Sequence, residues 1–331
     1  KNPRAGVVWK LLGLSLQMQG KEALSTLIKG AELLPNDAEA HANLAGAFRN
    51  AGMLEEALES SNNALRIKPD FAHVHNNLGL IHKDMEKFDE AVSSFEKALM
   101  INPNLIQAQI NLGGVLRIQE KLDAAENIFR RALQLQPNSV TALTSLASVL
   151  NEAGNVESAK EYCQRALDIE PENGEALIAL GGMHIESGDV SGAEKLLREV
   201  LRIQPENLEA LCVLAEMKKV GVGDKDMEAL LDAAKAIQQG NKAISIQNNI
   251  SLNFALGKCF DDLGECKQAF QYYLEGNRFK REFITYDPID LTRKFDFTRQ
   301  IFSAETLERL KGADNPSKLP IFVLGMPRSG T

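Results

Sequence analysis

Residues 325 to 331, Gly-Met-Pro-Arg-Ser-Gly-Thr, gather the groups in this chain best suited to holding an anion. They follow a short apolar run, Ile321 to Leu324, that reads as a buried strand. A glycine loop after a strand presents successive backbone N–H groups and the next helix N-terminus to a phosphate. A loop built for a nucleoside triphosphate has lysine after its second glycine, and Thr331 stands there instead. The glycine spacing alone also fits a plain strand-to-loop turn. Arg328 sits where a phosphate loop presents a side chain to the anion.

A second set of groups repeats along the chain. Asn43, Asn77 and Asn111 lie 34 residues apart, and an amide offers both donor and acceptor to an extended peptide backbone. Arg49, Lys83 and Arg117 recur at the same interval, six residues further on. Together they suggest a concave groove for an extended, acidic segment. The plainer alternative is that the cations favour helix C-termini and the asparagines face solvent. The ladder fades at Ser145 and Ala179. His75 and His82, seven residues apart, lack a third ligand and read as packing or rim residues, so no metal site is expected.

The elements that position these groups follow from Pro35, Pro69, Pro103, Pro137, Pro171 and Pro205, each 34 residues after the last. Such a period marks a helical repeat array. Each unit reads as two antiparallel helices. Ala45, Gly79, Gly113, Ala147 and Gly181 on the first helix, and Ala57, Ala91, Ala125, Ala159 and Ala193 on the second, permit close approach. Each proline stops a second helix, and the Asn or Asp that usually follows is expected to cap the next one. The first repeat has an inter-helix turn two residues shorter than the others. The period fails between Val220 and Asn248, then the small-residue pattern returns from Phe254 to Asn277, and a helix is expected from about Leu291 to Leu310. The expected division is a repeat array over 1–219, an irregular helical linker over 220–248, a closing helix pair with a connecting helix over 249–318, and the start of another domain over 319–331.

The chain has 331 residues, 44% hydrophobic and 6% aromatic, with a formal net charge of −8. That charge argues against a nucleic-acid groove, and no apolar run is long enough to span a bilayer. Cys163, Cys212, Cys259 and Cys266 show no C-x-x-C spacing and read as reduced packing residues, in keeping with a cytoplasmic location. The chain opens at Lys1 without methionine and stops inside a motif at Thr331, so it reads as a fragment.

The repeated residues resemble the tetratricopeptide repeat (TPR) family over about two-thirds of the chain, which implies an all-α right-handed superhelix. The asparagine series is similar to the ladder of the O-GlcNAc transferase TPR superhelix, implying a groove for a protein or peptide. The string PIFVLGMPRSGT resembles the first phosphosulfate-binding loop of sulfotransferases. Together with the preceding array, LEGN-R-F-K-R, YDP and NPS, it resembles bacterial TPR-containing sulfotransferases. This resemblance implies the first strand and phosphate loop of a truncated α/β domain, with Arg328, Ser329, Gly330 and Thr331 holding the 5'-phosphate of phosphoadenosine phosphosulfate (PAPS). The parent enzyme would transfer sulfate to an acceptor, with its acid–base residue beyond Thr331. Two rivals remain: a non-catalytic TPR scaffold for partner peptides, and a TPR-bearing glycosyltransferase.

Overall fold

The computed structural model of the chain describes residues 3–240, 244–283 and 288–301. Among them the chain is helical, with seventeen helices and no strand. The first twelve form six antiparallel pairs: α1 (Pro3–Met18) with α2 (Leu24–Leu33), α3 (Ala38–Asn50) with α4 (Leu54–Ile67), α5 (Ala72–Asp84) with α6 (Phe88–Ile101), α7 (Ile106–Ile118) with α8 (Leu122–Leu135), α9 (Val140–Glu152) with α10 (Val156–Ile169), and α11 (Gly174–Glu186) with α12 (Val190–Ile203). There follow α13 (Leu208–Met217), α14 (Lys225–Gln238), α15 (Ile246–Asp262), α16 (Cys266–Phe283) and α17 (Pro288–Ile301). The expected strand at Ile321 to Leu324, and the helix beyond Ile301, fall outside the described residues.

Every one of the six periodic prolines stands two residues past the end of a second helix. The capping expectation needs correction by one position. The side chains that accept from the next helix's first amides are Asp37, Ser139, Asn173 and Asn207, each two residues after its proline rather than directly after it. A proline and one further residue are needed to turn the chain before extended backbone can place a capping oxygen. At the same position α5 and α7 have Phe71 and Leu105, with no side-chain cap.

The small positions act by size matching within each pair. A Cβ on Gly79 would stand 2.5 Å from the Phe95 ring, one on Gly113 2.6 Å from the Phe129 ring, and one on Gly257 2.6 Å from the Tyr273 ring. Where the first helix carries alanine, its partner sixteen residues on is small: Ala45 goes with Ser61 and Ala147 with Cys163, all four fully buried. In the first pair Gly13 faces Leu27 at an offset of fourteen residues, as its shorter turn requires. Burial pushes the thiols of Cys163 and Cys259 up to about 11 and that of Cys212 to about 12, so these three remain protonated packing groups at neutral pH.

The turn between paired helices needs one residue with positive φ. Glycine supplies it at Gly52, Gly154 and Gly188, but Glu86 and Glu120 hold the same position at φ 59°. A side chain in this region costs roughly 1–2 kcal/mol, partly offset by the greater freedom of glycine in the unfolded chain. Glu86→Gly and Glu120→Gly are each expected to raise stability by about 0.5–1 kcal/mol. Urea unfolding should show later midpoints with unchanged slopes.

Past α13 the regular stacking changes, and polar bonds hold the departure in place. The α13 helix packs against both α14 and α15. Arg198 on α12 donates two hydrogen bonds to Asp226, at 2.6 and 2.8 Å, and Lys218 reaches Asp224 at 2.6 Å and Asp226 at 2.7 Å. On the other side, Asp262 accepts from Lys258 at 2.6 Å and from the Val220 amide at 2.8 Å. Lys258 also donates to the carbonyls of Ala215, at 2.9 Å, and Lys218.

Three clusters of buried apolar residues stand out, one across residues 23–47, a large one across 91–214, and one across 208–259, while Val74, Leu78 and Ile81 are buried outside them.

Candidate functional site

The asparagine series occupies one stripe of the array. Asn43, Asn77 and Asn111, with Ser145, Ala179 and Val213 continuing the same phase, are each half-buried on the first helix of a repeat. Three residues further along, a Cβ added to Gly46, Gly114 or Gly182 would meet nothing within 4 Å. Residues three apart on a helix share a face, so both rows border one open surface. Asn43 and Asn77 make no side-chain hydrogen bond among the described residues. Asn111 is engaged: its amide donates to Asn76 Oδ1 at 2.9 Å and its oxygen accepts from Gln107 at 3.3 Å.

The cations behave differently from one another. Arg49 is bound to Asp84 at 2.6 Å and Arg117 to Glu152 at 3.6 Å, each across to the next repeat. The partner lies 35 residues ahead, and for Lys83 that place is taken by Ile118. Lys83 thus has no ion pair among the described residues. Two of the three expected groove cations are therefore already engaged by carboxylates of the next repeat.

The histidines serve the repeat itself. His41 and His75 place Nε2 at 3.1 and 2.9 Å from the carbonyls of Pro35 and Pro69, and Gln109 donates to the Pro103 carbonyl at 2.9 Å. Their common phase, six residues after each proline, is the signal that would have shown this tie from sequence. His82 turns elsewhere, to Ser94 Oγ at 3.1 Å, and burial holds its imidazole below the ordinary range. No group of three or more His, Cys, Asp or Glu among the described residues is arranged to hold a metal.

Two adjoining clefts further along were not singled out by sequence. One, of about 480 Å³, includes Ser148, Glu175, Ile178, Ala179 and Glu209 in its wall. The next, of about 360 Å³, shares Glu209 and adds Val213, Glu216 and Ser251. The repeat again held the signal, since Glu175 and Glu209 are 34 residues apart. Arg328, Ser329, Gly330 and Thr331, the expected donor-binding residues, lie outside the described residues.

Family profiles described as tetratricopeptide repeat match residues 70–138, 112–173 and 150–216, and one described as TPR repeat matches 45–86. An uncharacterized protein of Aquifex aeolicus (strain VF5) is 40% identical over 89 residues, which is 27% of this chain and 12% of that protein. The match therefore spans about an eighth of that relative's length. Among solved structures, Pseudomonas aeruginosa pilF has a TM-score of 0.55 at 25% identity, covering 64% of this chain and 98% of that one. PilW, a widely conserved type IV pilus biogenesis factor, has a TM-score of 0.58 at 22% identity, covering 63% and 98%.

Proposed function

Since the chain belongs to the tetratricopeptide-repeat proteins, we propose that it is a docking scaffold whose first helices take an extended peptide segment from a protein partner. The observation that carries this reading is the stripe from Asn43 to Val213, where six successive repeats keep the same position partly open. Asn43 and Asn77 have amides free to bond a peptide backbone, and each such bond contributes about 0.5–1.5 kcal/mol. The triple variant Asn43→Ala, Asn77→Ala, Asn111→Ala is expected to weaken capture of immobilised short peptides by about tenfold or more. Its thermal stability should fall only slightly, through the lost bond between Asn111 and Asn76. Unchanged capture by a folded triple variant would refute the docking role of the stripe.

A second reading is favoured by the string Pro320 to Thr331, whose Pro-Arg-Ser-Gly-Thr resembles a sulfotransferase donor loop. On this reading the array precedes a PAPS-dependent catalytic domain and holds its protein acceptor. Arg328, Ser329, Gly330 and Thr331 bind the donor's 5'-phosphate, and PAPS supplies the sulfuryl group. A charge-assisted hydrogen bond contributes roughly 1.5–3 kcal/mol, so Arg328→Ala in the full-length protein is expected to weaken PAPS binding by about ten- to a hundredfold. Calorimetry reads this directly. Wild-type affinity in the variant removes Arg328 from the site, and a full-length wild type that binds no PAPS removes the sulfotransferase reading.

A further inference from the structure

The open face changes chemistry halfway along. From Asn43 to Asn111 the stripe is amide, whereas beyond Ser145 it continues as Ala179 and Val213, with Ile178 beside it. Over the same stretch the flanking position, which is His73, Gln107 and Thr141 in the three preceding repeats and a Lys10-paired Glu39 before them, becomes an acid without an ion pair among the described residues. Glu175 opens α11 and Glu209 opens α13 at the equivalent place, and Glu216 lies seven residues after Glu209, nearly two turns along the same side of α13. All three are exposed, and none has an ion pair among the described residues. No lysine or arginine lines either cleft. Lys258 is held by Asp262 and by two backbone carbonyls; it also acts on Glu216, whose carboxyl burial pushes above its ordinary value against the pull of that cation.

We infer that the trough running from Ser148 to Ser251 docks a basic, apolar peptide segment of a partner protein: an aliphatic side chain against Ile178, Ala179 and Val213, flanked by lysine or arginine facing Glu175, Glu209 and Glu216. This rests on the docking function proposed above and gives its ligand a chemical class. Long cationic side chains suit such a surface because their methylene stems lie on apolar groups while the charged end reaches a carboxylate. Three carboxylates around one trough, of which only Glu216 feels a built-in cation among the described residues, also attract a cationic segment at a distance and repel an acidic one. The net charge of −8 adds a general attraction, which the test must separate from the local one.

The test is fluorescence anisotropy of the 331-residue chain with a labelled peptide in which one leucine is flanked by lysines in a glycine–serine context, beside versions carrying glutamine or glutamate in place of lysine. The lysine peptide is expected to bind at least tenfold more tightly than the glutamate peptide, and to weaken as salt rises through the range where the screening length falls below about 10 Å. Glu175→Gln, Glu209→Gln, Glu216→Gln together should weaken it at least tenfold. Ala179→Arg, which sets a cation in the middle of the trough, should do the same. Glu55→Gln, Glu96→Gln, Glu161→Gln removes as much charge from exposed sites on second helices and should leave binding within twofold. Equal binding of the glutamate peptide, unchanged affinity in the trough variants, or equal weakening in the control would overturn the inference. If the lysine peptide fails while the glutamine peptide binds in a manner sensitive to Asn43, Asn77 and Asn111, only this ligand class falls. If no peptide binds, the docking function falls with it.

Discussion

Phe129→Cys is expected to destabilise the array by about 3 kcal/mol, and the further change Gly113→Ala to recover part of that loss. The Phe129 ring is 1% exposed inside the largest cluster and lies over Gly113. Truncating such a side chain removes apolar burial and leaves a cavity. Gly113→Ala alone forces a methyl group to within 2.6 Å of that ring, costing roughly 1–3 kcal/mol of overpacking against about 1 kcal/mol regained in helix propensity. The double variant recreates the pair the chain already uses at Ala147 and Cys163. Its total loss should be about 2 kcal/mol rather than the sum of the single losses, a coupling of about 2 kcal/mol. Urea unfolding of the four proteins measures it, and strict additivity would show that the paired sizes are coincidental.

Asp226→Asn is expected to cost about 2–3 kcal/mol and to loosen the packing of α14 and α15 on α13. The Asp226 side chain is 7% exposed and receives both Arg198 donors and Lys218. Breaking one member of a buried pair generally costs about 3–5 kcal/mol. Here the lower figure applies, because Arg198 and Lys218 reach solvent and Lys218 keeps Asp224. Burial works against the Asp226 charge, but the bonds from Arg198 and Lys218 outweigh it and hold the carboxyl below the usual range. Its stabilisation is therefore complete above the unfolded value, about pH 4, and is lost as pH falls through the lower folded value. Thermal melts from pH 7 to 3 should show the wild type losing more stability than Asp226→Asn. Parallel curves would remove Asp226 as the source of the acid sensitivity.

The sequence disclosed most where a feature repeats at the period itself. The six prolines located the ends of six second helices, and the small residues located the helix contacts, because both obey steric rules that act within one repeat. Interactions between repeats were harder to see. Arg49 and Arg117 find Asp84 and Glu152 at an offset of 35 residues, one more than the period, so a search within the unit finds the cations without their partners. The asparagine stripe was legible, but the bond between Asn111 and Asn76 was not, since Asn76 has no asparagine counterpart in neighbouring repeats. The acidic trough escaped notice because its members combine a repeat spacing, Glu175 to Glu209, with a helical one, Glu209 to Glu216. Past Val220 the loss of the proline foretold irregular stacking, yet nothing local indicated that Lys258 and Asp262 would anchor it from 40 residues away.

Ser61 occupies the place where Phe95 and Phe129 fill the next two repeats, and its hydroxyl is turned back onto the Ala57 carbonyl at 2.9 Å. The first helix of that repeat, α3, joins the first cluster through Ala40, Leu44 and Ala47, whereas its second helix, α4, contributes to neither of the two apolar clusters on either side. In a quasi-one-dimensional protein, each unit is held mainly by its neighbours, so a thin seam sets the boundary between cooperative opening units. The first two repeats are then expected to unzip while those from Ala72 onward stay closed. A partner spanning the seam would bridge the two units, making its own binding the bond that turns a jointed array into a rigid one.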